Sequence, residues 1–239
     1  MASRLGIFLL ILAVALPLSS EAPEQWIVWN VGQGQWVSFV TNQQCFHFDT
    51  GGEFAPWESV MEYCREKKNV LSYSHWDWDH VAFTQKTLRF LPDSCVLLKP
   101  FGQSSKRKQK LFALLPSCEK KLLYVYWQPT EGRSANDLSR VFFWKGLLIP
   151  GDSPIEKEKI WAHQIRQIQE TRVLILGHHG SRTSTGRGLL QRLTQLKVAV
   201  ASARLGRYGH PHNDVRRRLE ERKIPLLTTE DWGHLHFYN

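Results

Sequence analysis

The residues best suited to chemistry lie in one short stretch, Ser74-His75-Trp76-Asp77-Trp78-Asp79-His80. Two imidazoles and two carboxylates fall within six residues of each other, directly after an apolar run at 70–73. A strand that leads into a loop lets such side chains converge, as they commonly do in metal sites. Histidine combined with carboxylate suits zinc, manganese or iron better than calcium. The H-x-D-x-D-H spacing therefore predicts a metal site.

Further candidate ligands also follow directly after predicted strands; they are Asp49, Asp152, His178, His179 and His210. Such positions collect along one edge of a sheet, so a single site could hold all of them. Asp49 ends its strand before two glycines, and we predict that it orients a metal ligand rather than binding metal itself. A metal at this edge could lower the pKa of a bound water and polarise an ester or phosphate oxygen.

The elements that must position these residues alternate irregularly between strands and helices. Apolar runs predict strands separated by turns, with hairpins at both ends of the chain. Amphipathic spacing predicts helices over 54–67, 155–170, 186–195 and 213–223, and a helix over 111–115 after a basic loop. Mixed sheets covered by helices fit this order better than a purely parallel sheet. The pattern predicts one α/β domain over 21–239.

The N-terminus predicts a secretory signal peptide over residues 1–20, with cleavage near 20–22. An uncleaved membrane anchor is the alternative, although the apolar run is short for a span. We therefore expect a periplasmic or secreted protein without stable membrane insertion after cleavage. Four cysteines follow, at Cys45, Cys64, Cys95 and Cys118, and the sequence leaves disulfides and buried free thiols equally open.

The formal net charge of +9 is concentrated in two segments, 106–110 and 216–223. Such clusters favour polyanions, either nucleic acid or an anionic surface, although a solvated face is an equally good interpretation of each cluster alone. Ten tryptophans add aromatic faces that could stack on unpaired bases, but most should belong to the core.

Several histidines have ordinary explanations. His47 lies inside a predicted strand, and we expect a packed core or surface residue rather than a ligand. His212 precedes a helix and could cap it or contact a phosphate. Trp76 and Trp78 flank the ligands and could either line the pocket or stack on a base.

The order of motifs resembles the metallo-β-lactamase superfamily, and more closely the metallo-β-lactamase-like domain of ComEC-type competence proteins. The motifs that carry the resemblance are Asn30-Val31-Gly32-Gln33-Gly34, Asp49-Thr50-Gly51, the stretch 75–80, Asn136-Asp137-Leu138-Ser139, Gly151-Asp152, His178-His179-Gly180-Ser181 and Tyr208-Gly209-His210-Pro211-His212. The resemblance implies a four-layer αββα sandwich with mixed sheets. The sequence shows no channel segment, so it further implies a stand-alone, exported version of that domain.

The resemblance also implies two metal positions. The first would use His75, Asp77 and Asn136, and the second Asp79, His80, a histidine of the pair 178/179, and Asp152 as the bridge. Asp77 and Asn136 stand where the superfamily commonly has histidine, so the first position should be weaker and harder in character. The implied cofactor is one or two divalent ions, manganese or zinc, with magnesium as a further candidate.

The function implied by the resemblance is hydrolysis of phosphodiester bonds in DNA, in connection with DNA uptake and association with an uptake channel. The predicted catalytic residues are Asp79, Asn136, Ser181 and His210, of which His210 or Asn136 would contact the scissile phosphate and Ser181 would donate a hydrogen bond to it. The predicted contacts to the nucleic-acid backbone are Lys106, Arg107, Lys108, Arg207, Arg216 and Arg217.

Two alternatives use the same fold. One is a hydrolase of a small ester, lactone or phosphocholine-type substrate, which the clustered positive charge disfavours. The other is a non-catalytic module that binds polyanions beside a degenerate metal site, which Asp77 and Asn136 would explain.

Overall fold

The computed structural model describes residues 23–119 and 123–238. The predicted signal peptide and its cleavage site lie outside these residues. Twelve strands form two six-stranded sheets. The strands are β1 (Gln25–Val28), β2 (Val37–Val40), β3 (Gln44–Phe48), β4 (Lys68–Ser72), β5 (Ser94–Leu98), β6 (Val125–Trp127), β7 (Val141–Trp144), β8 (Leu147–Ile149), β9 (Val173–Ile175), β10 (Val198–Ala201), β11 (Leu226–Thr228) and β12 (Leu235–Tyr238).

Each sheet is antiparallel on one side and parallel on the other. The first has the order β12-β1-β2-β3-β4-β5, and β3, β4 and β5 run parallel. The second has the order β11-β10-β9-β8-β7-β6, and β8 to β11 run parallel. The parallel halves place the carboxyl ends of several strands at one edge of each sheet, which is where ligands commonly bind.

The helices cover the outer faces of the two sheets. They are α1 (Trp57–Cys64), α2 (Trp78–Val81), α3 (Thr84–Phe90), α4 (Lys106–Lys110), α5 (Ile155–Gln164), α6 (Arg187–Arg192), α7 (Leu205–Tyr208), α8 (Asn213–Glu220) and α9 (Thr229–Trp232). None of the helices in the two described ranges has both the length and the apolar character that crossing a bilayer requires.

Three buried layers hold the fold together. Aromatic residues such as Trp26, Phe48 and Phe142 fill the space between the two sheets. Val60 of α1 packs on the outer face of the first sheet, and Trp161 of α5 packs on the outer face of the second. The layers therefore run helix, sheet, sheet, helix, which confirms the predicted αββα sandwich with mixed sheets.

The two predicted hairpins had different outcomes. Strands β1 and β2 pair antiparallel, as predicted. The C-terminal hairpin prediction was wrong, because β11 joins the second sheet and β12 pairs with β1 of the first. Helix α9 lies between these two strands and redirects the chain from one sheet to the other.

Two predicted helices also differ from the structure. The helix predicted over 155–170 ends at Gln164, where buried Ile165 adopts an extended conformation, and a 3-10 helix follows. The basic segment forms α4 itself, because the Ser105 hydroxyl caps it by accepting a hydrogen bond from the Lys108 amide. The helix predicted over 111–115 was therefore placed too late in the chain.

The four cysteines form two disulfides, which resolves the alternative left open by the sequence. Cys45 of β3 pairs with Cys64 of α1, and Cys95 of β5 pairs with Cys118. Loops of this size stabilise the folded chain by about 3 kcal/mol each in the chain-entropy account. Disulfides are typical of proteins that fold in an oxidising compartment.

Candidate metal centre

Parallel strands of both sheets deliver the candidate ligands to one edge of the sandwich. Asp49 follows β3, the stretch 74–80 follows β4, Asp152 follows β8, and the pair 178–179 follows β9. The structure brings six of the seven predicted metal ligands together around the seventh, the carboxylate of Asp152.

Asp152 divides these ligands into two groups. Its Oδ1 lies 3.1 Å from His80 Nε2 and 3.8 Å from His179 Nε2. Its Oδ2 lies 3.7 Å from His75 Nε2 and 3.6 Å from His178 Nε2. Each oxygen of one carboxylate thus faces a different pair of imidazoles, which is the arrangement required of a bridging ligand.

The group around Oδ1 also contains Asp79. Its Oδ2 lies 3.0 Å from His179 Nε2, which is in turn 3.3 Å from His80 Nε2. Asp79, His80 and His179 each offer one ligand atom, and these atoms lie within 4.8 Å of one another. The second predicted metal position therefore takes His179 from the histidine pair.

The group around Oδ2 is more open. Asp77 Oδ2 lies 3.5 Å from His75 Nε2, and the side chain of Asp77 is 40% exposed. His178 lies on this side, not beside its neighbour His179. Asn136 begins a 3-10 helix, and this segment reaches the centre through Ser139, whose Oγ lies 3.5 Å from His75 Nδ1. Asn136 as a ligand stays a prediction.

The three inner histidines share one orientation. His80 Nδ1 donates to Asp49 Oδ2 at 2.8 Å, and His179 Nδ1 donates to the carbonyl of Ser202 at 3.1 Å. His75 Nδ1 lies 2.9 Å from Ser74 Oγ, whose hydroxyl donates to Asp49. Because each Nδ1–H points outward, the neutral form of each imidazole presents the lone pair of Nε2 to the centre.

When the imidazoles are neutral, two buried atoms at the centre have no hydrogen-bond partner within the described residues, namely His75 Nε2 and Asp152 Oδ1. Leaving such atoms unpaired costs free energy unless a ligand satisfies them. Inward imidazole nitrogens, carboxylate oxygens and unpaired buried acceptors together fit a divalent ion. The residues present are therefore suited to the metal that their types predicted.

Charges at the centre are strongly coupled. Burial opposes ionisation of Asp152, but the charges of His80, His179 and His75 hold its pKa well below its usual range. Burial also opposes charge on His80, but Asp152 and Asp49 raise its pKa well above 6.5. A divalent ion must displace the proton of His80 in order to bind, so we expect its binding to release a proton.

The backbone at the histidine pair is strained. His178 and His179 have positive φ angles of 50° and 54°. Side chains other than glycine adopt this conformation at a cost of about 1 kcal/mol each, and it occurs preferentially at functional sites. The two consecutive left-handed residues turn neighbouring imidazoles to opposite sides of Asp152.

The ligand stretch is fixed by backbone contacts from the first sheet. The carbonyl of Asp79 accepts from the Gln35 amide, and that of His80 accepts from the Thr50 amide, both at 2.9 Å. A Cβ at Gly51 would overlap the peptide between Asp79 and His80. Glycine at 51 is therefore required by the close approach of the two chain segments.

The remaining predicted residues lie at different distances from the centre. The His210 ring centroid is 6.2 Å from that of His178, so His210 lies at the mouth of the centre. Ser181 Oγ bonds to Thr183 Oγ1 at 3.0 Å. His212 caps α8 by accepting a hydrogen bond from the Asp214 amide, which favours the first of its two interpretations.

Three positioning residues were missed by sequence reasoning. Gln35 Nε2 and Ser74 Oγ both donate to Asp49 Oδ2, at 2.6 and 2.7 Å. Ser139 Oγ accepts from the Asp152 amide at 3.0 Å. Ser74 could have been suspected because it adjoins His75, but Gln35 and Ser139 carry no comparable local signal.

Comparisons with known proteins identify relatives of the chain and structures that share its fold. No protein-family model matches the chain. Competence protein ComA from Neisseria gonorrhoeae is 25% identical over 226 residues, covering 88% of this chain and 31% of that protein. Recombination protein 2 from Haemophilus influenzae is 28% identical over 254 residues, with 96% and 31% covered. ComE operon protein 3 from Bacillus subtilis is 29% identical over 122 residues, with 51% and 14% covered.

The chain thus spans about a third or less of the length of these relatives. Among solved structures, the metallo-β-lactamase fold protein YhfI from Bacillus subtilis matches with a TM-score of 0.57 at 9% identity, covering 90% of this chain and all of that one. A diphosphatase from the PhnP family matches with a TM-score of 0.53 at 12% identity, with 90% and 97% covered. The chain has the metallo-β-lactamase fold.

Proposed function

We propose that this chain is a metal-dependent hydrolase that cleaves phosphodiester bonds of DNA and acts in DNA uptake. The observation that carries the proposal is the carboxylate of Asp152, shared by two groups of inward-facing imidazole nitrogens. The sequence similarity to competence proteins supports DNA as the substrate.

The ligand sets would hold one or two divalent ions, manganese or zinc, with magnesium as a further candidate. The Oδ1 group would be Asp79, His80, His179 and Asp152, and the Oδ2 group would be His75, Asp77, His178 and Asp152. Divalent ions held there would activate a water molecule and neutralise charge on phosphate oxygens. Asp49 would hold His80 in the orientation that leaves its Nε2 free.

His210 would donate a hydrogen bond to the scissile phosphate. Arg204 N donates to Gln33 Oε1, so Gln33 Nε2 is the donor to His210 Nδ1, at 3.2 Å. The other ring nitrogen of His210 therefore carries the proton. Burial, followed by the charges of His179 and His178, lowers the pKa of His210, which favours its neutral imidazole.

Two independent features support a proposal for the compartment. We propose export to the periplasm or the medium, supported by the N-terminal sequence pattern and by two disulfides. A DNA-uptake channel is the proposed partner, and the similarity to a competence protein supports this proposal.

The test is cleavage of end-labelled single-stranded DNA by purified protein, first treated with chelator and then given manganese, magnesium or zinc. Asp79→Ala removes one ligand, and Asp93→Ala, in an exposed turn, is the matched control. We expect cleavage to return with metal in the parent and in Asp93→Ala but not in Asp79→Ala.

Two outcomes would contradict the proposal. Metal binding without cleavage of any nucleic acid would favour a small phosphoester or ester as substrate. DNA binding without metal binding would favour the non-catalytic module.

A further inference from the structure

Helix α4 is attached to the rim of the candidate centre. Lys108 Nζ lies 3.4 Å from Asp77 Oδ1, and only 17% of the Lys108 side chain is exposed. The guanidinium carbon of Arg107 lies 4.9 Å from the ring centroid of Trp78, the residue after Asp77. Two residues of the ligand stretch thus fix the position of α4, and cation–π contact holds Arg107 beside the centre.

The other charged side chains of α4 have no ion-pair partner among the described residues. Lys106, Arg107 and Lys110 are exposed. Throughout 23–119 and 123–238, no carboxylate forms an ion pair with any of these three side chains, in contrast to Lys108. Their charges remain available for an anion from outside the chain.

In the second basic segment, the arginines near the centre already have partners within the fold. Arg217 forms an ion pair with Asp214, and Arg216 Nε donates to the Pro211 carbonyl at 3.1 Å. Arg218 donates to the carbonyls of Ser184 and Thr185. Arg207, nearby in α7, is paired with Glu53. These arginines hold loops in place.

The later residues of that segment lie away from the centre. Helix α8 begins beside it, where the His212 amide donates to the Gly180 carbonyl. Its eight residues then extend about 12 Å. Beyond it, the Pro225 carbonyl accepts from Ala199 near the amino end of β10, at the opposite edge of the sheet. Arg222 and Lys223 therefore lie far from any substrate at the centre.

We propose that Lys106, Arg107 and Lys110, the α4 face, bind the phosphate backbone of the nucleic acid, and that the second basic segment does not. This inference rests on the proposed function and specifies its substrate surface. Helix α4 carries no apolar side chain, whereas a helix that inserts into a membrane surface needs an apolar face. Its five residues extend about 7.5 Å, which spans roughly two nucleotide steps and therefore about three successive phosphates of one strand.

The test compares two charge-matched triple variants. The first is Lys106→Gln, Arg107→Gln and Lys110→Gln, and the second is Arg217→Gln, Arg222→Gln and Lys223→Gln. Binding of a fluorescent single-stranded DNA is measured by anisotropy in chelator over a series of salt concentrations, and circular dichroism verifies folding.

We expect the α4 variant to bind at least 10-fold more weakly and its salt slope to fall by about 2, because each lost contact to a single strand contributes about 0.7. The second variant should bind within threefold of the parent with an unchanged slope. Equal losses in both variants, or a larger loss in the second, would overturn the proposal. So would intact DNA binding by an α4 variant that no longer binds anionic phosphatidylserine vesicles.

A double-mutant cycle tests whether Trp78 acts by positioning Arg107. We expect Trp78→Leu to reduce the salt slope about as much as Arg107→Gln, and the combined variant to show no further loss. Additive losses of the salt slope would show that Trp78 contributes to DNA binding independently of Arg107.

Failure of this inference and failure of the proposed function are distinguishable. DNA binding in chelator requires no turnover. Binding that depends on α4 without any cleavage would therefore contradict only the hydrolase proposal. Cleavage by the α4 variant with an unchanged KM would sink only the surface proposal.

Discussion

Two buried histidines of the first sheet show what distinguishes a ligand from a structural residue. His47 meets only neutral partners: its Nδ1 accepts from Trp36 Nε1 at 3.1 Å, and its Nε2 donates to Asn69 Oδ1 at 2.9 Å. His80 is equally buried, but its Nδ1 meets the carboxylate of Asp49 and its Nε2 faces Asp152. Both ring nitrogens are thus satisfied at His47, and one remains available at His80.

Proximity of ligand types alone would not separate these regions. Cys45, His47 and Cys64 offer potential ligand atoms within 4.8 Å of one another, as the centre does. The two cysteines are joined to each other, however, and His47 is fully hydrogen-bonded. Burial lowers the pKa of His47 to about 4, with the Asn69 hydrogen bond opposing, whereas the pKa of His80 is raised. The charge of the partners decides the direction.

The strongest test of this comparison is Asp152→Asn, which keeps the shape of the bridging residue and removes its charge. We expect DNA cleavage to fall by about 10³-fold or more, since the metal contributes several kcal/mol to such reactions. Manganese binding, measured by equilibrium dialysis, should fall with it. If Asp152→Asn retains the parent's metal content, the comparison fails. The charge of Asp152 would then not be what distinguishes the metal centre from the His47 network.

The pH dependence of stability tests the comparison at His47, the structural histidine. His47 has an ordinary pKa of 6.5 when unfolded and about 4 when folded, so the unfolded state binds the extra proton between these values. The free energy of unfolding should therefore fall as pH drops from 6.5 toward 4, by up to about 3 kcal/mol from this residue.

Urea unfolding in chelator at several pH values would measure this effect. His47→Gln should flatten the dependence, while His163→Gln, at an exposed helix position, should leave it unchanged. Parallel curves for the parent and His47→Gln would show that His47 does not titrate as its surroundings predict.

Asp49→Asn should have an intermediate effect, because Asp49 supports the centre without facing the metal. It accepts from Gln35, Ser74 and His80, so its loss would free the orientation of His80. We expect metal affinity to fall about 10- to 100-fold. Calorimetric titration would measure the loss, with Asp93→Asn as the matched control and a thermal melt as the check on folding. Unchanged metal affinity would show that Asp49 does not support the metal ligands.

Trp29→Phe should have the smallest effect and should leave the centre untouched. Trp29 Nε1 donates to Ser38 Oγ at 2.7 Å, and that hydroxyl contacts His47 Nδ1. Losing this donor should lower the free energy of unfolding by about 1 kcal/mol. Metal affinity should stay at the parent value, and a decrease would mean that the two regions are coupled.

The sequence places the candidate ligands at one edge of the sandwich because they follow strands, a property that is local in the chain. Asp49, Asp152 and the stretch 75–80 could be placed at one edge without knowing any distance. The placement of His178 and His179 on opposite sides of Asp152 could not be predicted, since it depends on two positive φ angles. The role of Ser139 could not be predicted either, because it contacts His75, which is 64 residues away in the chain.

The fold shows the same limit. Strand positions follow from local apolar runs, but the partner of a strand does not. Pairing of β12 with β1 joins Tyr238 to Gln25, and no local pattern distinguishes it from the hairpin that we predicted. Helix α4 was misplaced for a smaller reason, because the capping hydroxyl of Ser105 outweighed the apolar spacing further along the chain.

The disulfide between Cys95 and Cys118 has a consequence for how the protein responds to proteases. Helix α4 lies within the loop that this disulfide closes, and its exposed lysines and arginine are natural cleavage sites for trypsin-like proteases. A cut there would nick the chain without releasing a fragment, since both new ends stay tethered through the disulfide. Digestion would thus yield a single species on a non-reducing gel and two bands after reduction.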